Sequence, residues 1–226
     1  MTLVERVERI TVNGAPSERN ARPHFSRVSC LTGLHRIVRP GTDLVIWQRP
    51  IRRDVEAELA TLVLDDLDDL LLSSPMSTLD EALSHALIDA GYPDLPGLRA
   101  DITMLAQSQA TLTGDDEIRI RLEIVETDAC RKFHADYVKV RTITTYLGTG
   151  TQWIEAAEPE LAGCVPIQQI ETGAVGIFKG RLWEERPGIL HRSPPIAGSN
   201  EQRLVLVIDP APCEDQPTIR VGKGFV

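Results

Sequence analysis

Phe133-His134-Ala135-Asp136-Tyr137-Val138-Lys139-Val140-Arg141-Thr142-Ile143-Thr144-Thr145-Tyr146, running into Leu147-Gly148-Thr149-Gly150, is the stretch on which the reading of this chain turns. Its β-branched and aromatic content predicts a strand that closes on a glycine turn. Successive strand side chains point to opposite faces, so His134 and Asp136 project together. If no turn intervenes, the same parity carries Val138, Val140, Thr142, Thr144 and Tyr146, while Arg141 has the opposite one. His191 follows about fifty residues after Asp136, and Arg203 about ten after that.

Two imidazoles and one carboxylate on one face of a metal leave the remaining positions open, the donor set used by non-haem Fe(II) oxygenases. His134, Asp136 and His191 are the candidate metal ligands and so the candidate catalytic centre. Such an iron has room for O2 and for 2-oxoglutarate, which chelates through its keto-acid end and needs a cation for its far carboxylate. Arg203 is the first candidate for that cation, because a guanidinium fork matches a carboxylate. Tyr146 would add a hydroxyl donor, and Arg141, on the other parity, ranks second. His-x-Asp alone is a weak signal, equally met in a strand with an exposed Asp and a core His bonded to backbone. His191 and Arg203 in a β context tip the reading toward a metal site.

Outward from this stretch the β character persists. Glu117-Ile118-Arg119-Ile120-Arg121-Leu122-Glu123-Ile124 alternates cleanly, which predicts a half-buried antiparallel strand with Arg119, Arg121 and Glu123 on the wetter side. Downstream, GAVGIFKGRLW, GILHRSPP and QRLVLVID read as further short strands parted by Gly and Pro turns, the pattern of a sandwich or jelly roll. GTGTQW lacks the Lys-Ser/Thr ending and following helix of a phosphate loop. Trp153 and Trp183 are expected to fill the core at layer edges.

Upstream, DLVIWQRP predicts a strand. Val55, Leu59, Leu62, Val63, Leu67 and Leu70 recur at helical spacing across 53–72, with Asp65, Asp66, Asp68 and Asp69 as a wet face. A capping box, Thr78 with Glu81, opens a second helix that Gly91 and Pro93 end, and a third covers 97–109. Glu81, His85 and Asp89 share a surface row on that second helix. The expected organisation is an irregular arm at 1–40, holding His24 and His35 as surface residues, and a single domain over 41–226. Within it, 41–115 is mainly a helical layer and 116–226 the jelly-roll core. The fold class is α+β, a double-stranded β-helix of jelly-roll or cupin-like form with an N-terminal helical layer.

At 226 residues with 42% hydrophobic content the chain supports one good-sized core. A net charge of −9 argues against nucleic-acid binding. No apolar run reaches the length of a membrane span, and charges interrupt the opening MTLVERVERITVNG, so a cytoplasmic protein is expected. The four cysteines, Cys30, Cys130, Cys164 and Cys213, form no CxxC pair and predict reduced thiols. Cys130 with His134 and His191 offers an alternative zinc site.

The motifs FHADYVKVRTITTYLGTGTQW and GIFKGRLW…HRSPP…RLVLVID resemble a bacterial family known as a domain of unknown function, from about Trp47 to Asp209. The His-x-Asp, His, Arg order in turn resembles the Fe(II)/2-oxoglutarate dioxygenase superfamily. TTYLGTGTQW is similar to the strand and glycine turn of its prolyl-hydroxylase-like members. The resemblance implies iron at His134, Asp136 and His191, 2-oxoglutarate at Arg203, and hydroxylation of a small-molecule or peptide substrate. Many members carry a hydroxyl residue two positions after that Arg, where this chain has Val205. Two other readings stand beside it: a non-catalytic metal-binding jelly roll, for instance in zinc handling, and a structural β domain without a metal. The sequence leaves the oligomeric state open.

Overall fold

The computed structural model describes residues 24–128, 130–156 and 159–211. The charged opening read as part of the arm, residues 1–23, and Cys213 lie outside them. In chain order the elements are β1 (Phe25–Val28), β2 (Leu44–Trp47), α1 (Arg53–Leu59), β3 (Leu70–Pro75), α2 (Leu79–Asp89) and α3 (Pro96–Thr113). There follow β4 (Glu117–Val125), β5 (Val140–Leu147), β6 (Gln152–Glu155), β7 (Gln168–Gln169), β8 (Val175–Lys179), β9 (Ile189–Arg192) and β10 (Arg203–Pro210). Seven strands form a large sheet in the order β1-β2-β8-β5-β10-β4-β3, and three form a small one in the order β7-β6-β9.

The two sheets face each other across an apolar layer. Leu44, Ile46, Ile143, Phe178, Val205 and Val207 of the large sheet meet Trp153, Ile170 and Ile189 from the smaller side. The other face of the large sheet carries the helices: Ile118, Ile120, Leu122, Leu204, Leu206 and Ile208 pack with Leu83, Leu98, Ile102 and Leu105. Each fully buried aliphatic side chain in these layers contributes about 1.5–3 kcal/mol. The result is the jelly-roll form of the α+β class with a helical cover, and the barrel is open rather than closed. Strand β10 is buried on both faces, which is why it reads as a continuous apolar run.

Because seven strands face three, the inner surface near β3 and β4 is left uncovered. Leu71 stands opposite Arg121 in the ladder and is 60% exposed. Arg119, Arg121 and Glu123 therefore line the open flank of the barrel interior, while their apolar neighbours on β4 face the helices.

The chain departs from expectation upstream. The arm predicted to be irregular to residue 40 already forms β1, paired in parallel with β2, and a 3-10 helix over Leu31–Val38. The single helix predicted across 53–72 stops at Leu59, and Leu70–Pro75 is a strand paired antiparallel with β4. Four aspartates within five residues repel one another beside a helix C-terminus, where the dipole already disfavours them. The β4 edge offers Leu70 and Leu72 a ladder, and the Asp69 carboxylate accepts the Ile124 N–H at 2.7 Å. Helix α2 begins and ends where predicted, but the Thr78 hydroxyl makes no cap bond to it. Helix α3 is longer than predicted, and its first turn is capped from outside: the Glu58 carboxylate accepts the Gly97 and Leu98 N–H groups, both at 2.7 Å.

Candidate metal centre

Strand β5 starts only at Val140, and Tyr137–Lys139 bend ahead of it. His134 precedes that bend and is joined to β9 by an antiparallel bridge with His191, N to O at 3.0 and 2.9 Å. Asp136 is held at the bend, its carbonyl accepting the Arg181 N–H at 2.8 Å. Gly180 packs so close beneath this turn that an added Cβ would collide with the Val138 carbonyl oxygen. A glycine is required there by close backbone approach.

These constraints bring His134, Asp136 and His191 together with their ligand atoms within 4.8 Å of one another. Among the described residues they form the one such cluster. Asp136 Oδ2 lies 3.0 Å from His191 Nε2, and Asp136 Oδ1 lies 3.5 Å from His134 Nε2. Donors about 2.1 Å from a common ion and at right angles around it stand ~3.0 Å apart, so the spacing suits adjacent corners of one coordination sphere. The Nδ1–H of His134 donates to the Lys132 carbonyl at 2.8 Å, which leaves its Nε2 lone pair free for a metal. Asp136 Oδ2 is buried and has no hydrogen bond, despite the imidazole beside it. A buried, unsatisfied carboxylate oxygen beside the His191 imidazole, with the His134 imidazole beside its twin, fits a divalent cation.

Electrostatics agree with that donor set. Burial pushes the Asp136 carboxyl up, but His191, His134 and Arg141 outweigh it and hold it well below the usual range. Burial pushes the His191 imidazole pKa down against the raising effect of Asp136, which favours the neutral form that ligates. The Asp136 carboxylate raises His134 against its own partial burial.

Arg203 lies on the inner face of β10, 1% exposed. Its guanidinium donates to the Thr149 carbonyl at 2.5 Å, the Ser193 hydroxyl at 3.2 Å and the Thr145 hydroxyl at 3.4 Å. No carboxylate among the described residues forms an ion pair with it; burial lowers its pKa, opposed by the more distant Glu201 and Glu123 charges. Ser193 follows His191 by two positions, so the guanidinium reaches the segment that leaves a candidate ligand.

The two remaining candidates behave differently from the sequence reading. Tyr146 is on the helical side of the sheet, buried, with its hydroxyl donating to Asp101 at 2.7 Å. Arg49 forks onto that same carboxylate at 2.5 and 2.7 Å. The bend at 137–139 breaks the assumed parity, so Arg141, Ile143 and Thr145 face the barrel and Tyr146 faces away. Arg141 meets Asp136 and forms a fork on Asp209 at 2.7 and 2.8 Å. Asp209, Thr145 and Ser193 escaped sequence reasoning. Asp209 was available by counting in twos from Arg203 along β10, whereas the two hydroxyls depend on tertiary placement.

Cys130, Cys164 and Cys30 are free and exposed, and none joins the cluster. Glu81, His85 and Asp89 line an exposed helix face. Trp153 is fully buried between the sheets, while Trp183 is 39% exposed on the 180–187 loop. Among the described residues, no helix is long and apolar enough to cross a membrane.

Solved structures with a similar course include the rice dioxygenase for auxin oxidation, at 10% identity and a TM-score of 0.45, covering 82% of this chain and 81% of that one. The Arabidopsis thaliana dioxygenase for auxin oxidation 1, in its 2-oxoglutarate complex, gives 12%, 0.41, 72% and 72%. A bsmA homolog from Methylobium petroleophilum PM1 gives 13%, 0.45, 79% and 91%. No curated protein matches the chain. The family model described as "Protein of unknown function (DUF1826)" matches residues 29–209, most of the sequence. The chain belongs to the DUF1826 family.

Proposed function

We propose that this protein is a non-haem Fe(II)- and 2-oxoglutarate-dependent oxygenase that hydroxylates a small-molecule or peptide substrate. The observation that carries the reading is the cluster of His134, Asp136 and His191, in which the buried Asp136 Oδ2 beside His191 has no hydrogen bond. Bound iron would supply O2 activation coupled to oxidative decarboxylation of the 2-oxo acid. The chain's own residues prepare for it. His134 presents Nε2 because Lys132 fixes the tautomer. Arg203 offers a buried positive charge with no carboxylate of its own, a strong demand for an anion. Ser193 and Thr145 flank that guanidinium, supplying the hydroxyls that Val205 does not. Ile143, Val205, Val207 and Phe178 form the apolar layer on the same inner face of the large sheet.

The test is anaerobic titration with Fe(II) and then 2-oxoglutarate. A weak visible charge-transfer band that appears only when both are present, followed by succinate release on admitting O2, supports the reading. Stoichiometric Zn(II) that Fe(II) does not displace, with no succinate, would instead favour the metal-binding alternative. Unchanged metal content in His134→Ala and Asp136→Ala would leave the structural β domain.

A further inference from the structure

The barrel interior carries a run of charges that the proposed reaction leaves without a role. The Arg141 guanidinium meets Asp136 Oδ1 through Nη1 and grips Asp209 through Nε and Nη2. Arg121 then reaches Asp209 at 3.4 Å and Glu123 at 2.7 Å. The links alternate in sign, from Asp136 to Arg141, Asp209, Arg121 and Glu123. They cross three neighbouring strands, β5, β10 and β4, on one face of the sheet.

We propose that Arg141 is a positioning residue that confines Asp136 to one-oxygen coordination of the metal. The inference rests on the metal-centre reading above and adds a role within it. A carboxylate next to an ion can offer one oxygen or two. Here the two oxygens have different surroundings: Oδ1 is engaged by Arg141 and lies 3.5 Å from His134 Nε2, while Oδ2 has no hydrogen bond and lies beside His191. A guanidinium on Oδ1 competes with the metal for its lone pairs and fixes the plane of the carboxylate. Arg141 cannot easily swing away, because Asp209 holds its other edge with two bonds and Arg121 in turn anchors Asp209. Confinement matters because a second Asp136 oxygen on the ion would occupy a position needed by a bidentate co-substrate or by O2. Sequence parity ranked Arg141 only second for the co-substrate, and its contacts assign it to the protein ligand instead.

Mn(II) provides a redox-inert probe, since an octahedral ion with three protein ligands keeps three waters. Water-proton relaxation enhancement per bound Mn(II) reports that number directly. The chains to compare are the wild type, Arg141→Lys, and Arg141→Met combined with Asp209→Asn, which avoids stranding a buried carboxylate. In the double variant the enhancement should fall by about a third, as Oδ1 displaces one of three waters. Arg141→Lys keeps the charge, loses the fork and should lie between the two. Should the double variant fail to fold by circular dichroism, Arg141→Lys alone decides the matter. Enhancement equal to wild type in every folded variant overturns the positioning role while leaving the metal centre intact. Wild-type protein that binds no Mn(II) overturns the metal centre and the positioning role together.

Discussion

His134 and His191 exchange a pair of backbone hydrogen bonds at 3.0 and 2.9 Å, and their rings stand 4.8 Å apart. Two candidate ligands far apart in sequence are thus fixed by main-chain bridging, which side-chain substitution leaves in place. Changing either imidazole to alanine is expected to weaken divalent-metal binding by more than ~100-fold. Folding stability should respond unequally. The His134 side chain is 40% exposed and its loss should fall within about 0.5 kcal/mol. His191 is buried against Phe178, so its truncation should destabilise by about 2–3 kcal/mol. Metal titration and urea denaturation of both variants measure the contrast.

Arg203→Met should separate co-substrate binding from folding. Removing a buried cation that has no carboxylate partner relieves a desolvation penalty, so the melting temperature should hold or rise. Affinity for 2-oxoglutarate, measured calorimetrically with Mn(II) bound, should drop by about 100-fold or more. Metal affinity should stay within a few-fold of wild type. A melting temperature several degrees lower, with unchanged 2-oxoglutarate affinity, would contradict this assignment.

Asp101 serves the opposite face of the sheet. Its carboxylate holds the Arg49 fork and the Tyr146 hydroxyl together, tying α3 to β5 and to the segment after β2. Asp101→Ala strands a largely buried guanidinium and should cost about 3–5 kcal/mol. Once stability is restored by cooling or osmolyte, metal affinity should match wild type, because no Asp101 contact reaches the barrel interior.

Alkaline pH should act through the same cluster. Burial, and then the neighbouring Asp101 charge, push the Tyr146 hydroxyl well above its ordinary pKa, and burial likewise raises Tyr92. A raised folded-state value means that the native state keeps protons the unfolded chain would release. The stabilisation is therefore complete below the unfolded value of about 10 and declines as pH climbs beyond it. Melting temperatures between pH 8 and 11 should be flat at first and then fall. In Tyr146→Phe the fall should be shallower.

The strands were legible where period-two alternation ran long, as in β4, or where an apolar run lay between Gly and Pro turns, as in β8 and β10. The donor cluster was legible from residue type and spacing, because bridging between β9 and the stretch before β5 requires only that both be extended. Two features were hidden by physics rather than by noise. Leu67 and Leu70 fit a helical stripe as well as a strand, and the β4 edge decided between them. The bend at 137–139 carries no Pro or Gly, so the parity running from Asp136 to Tyr146 looked continuous. One such bend exchanged the roles of Arg141 and Tyr146, turning the first toward the ligands and the second toward the helices.

The contact at Gly180 makes two loops a single mechanical part. Its N–H donates to Lys139, the Arg181 N–H to Asp136 and the Leu182 N–H to Val138, at 2.8, 2.8 and 3.1 Å. No slack separates the backbones, since even a methyl group would not fit. A side chain at position 180 would therefore push on the very peptide that bears the Asp136 carboxylate.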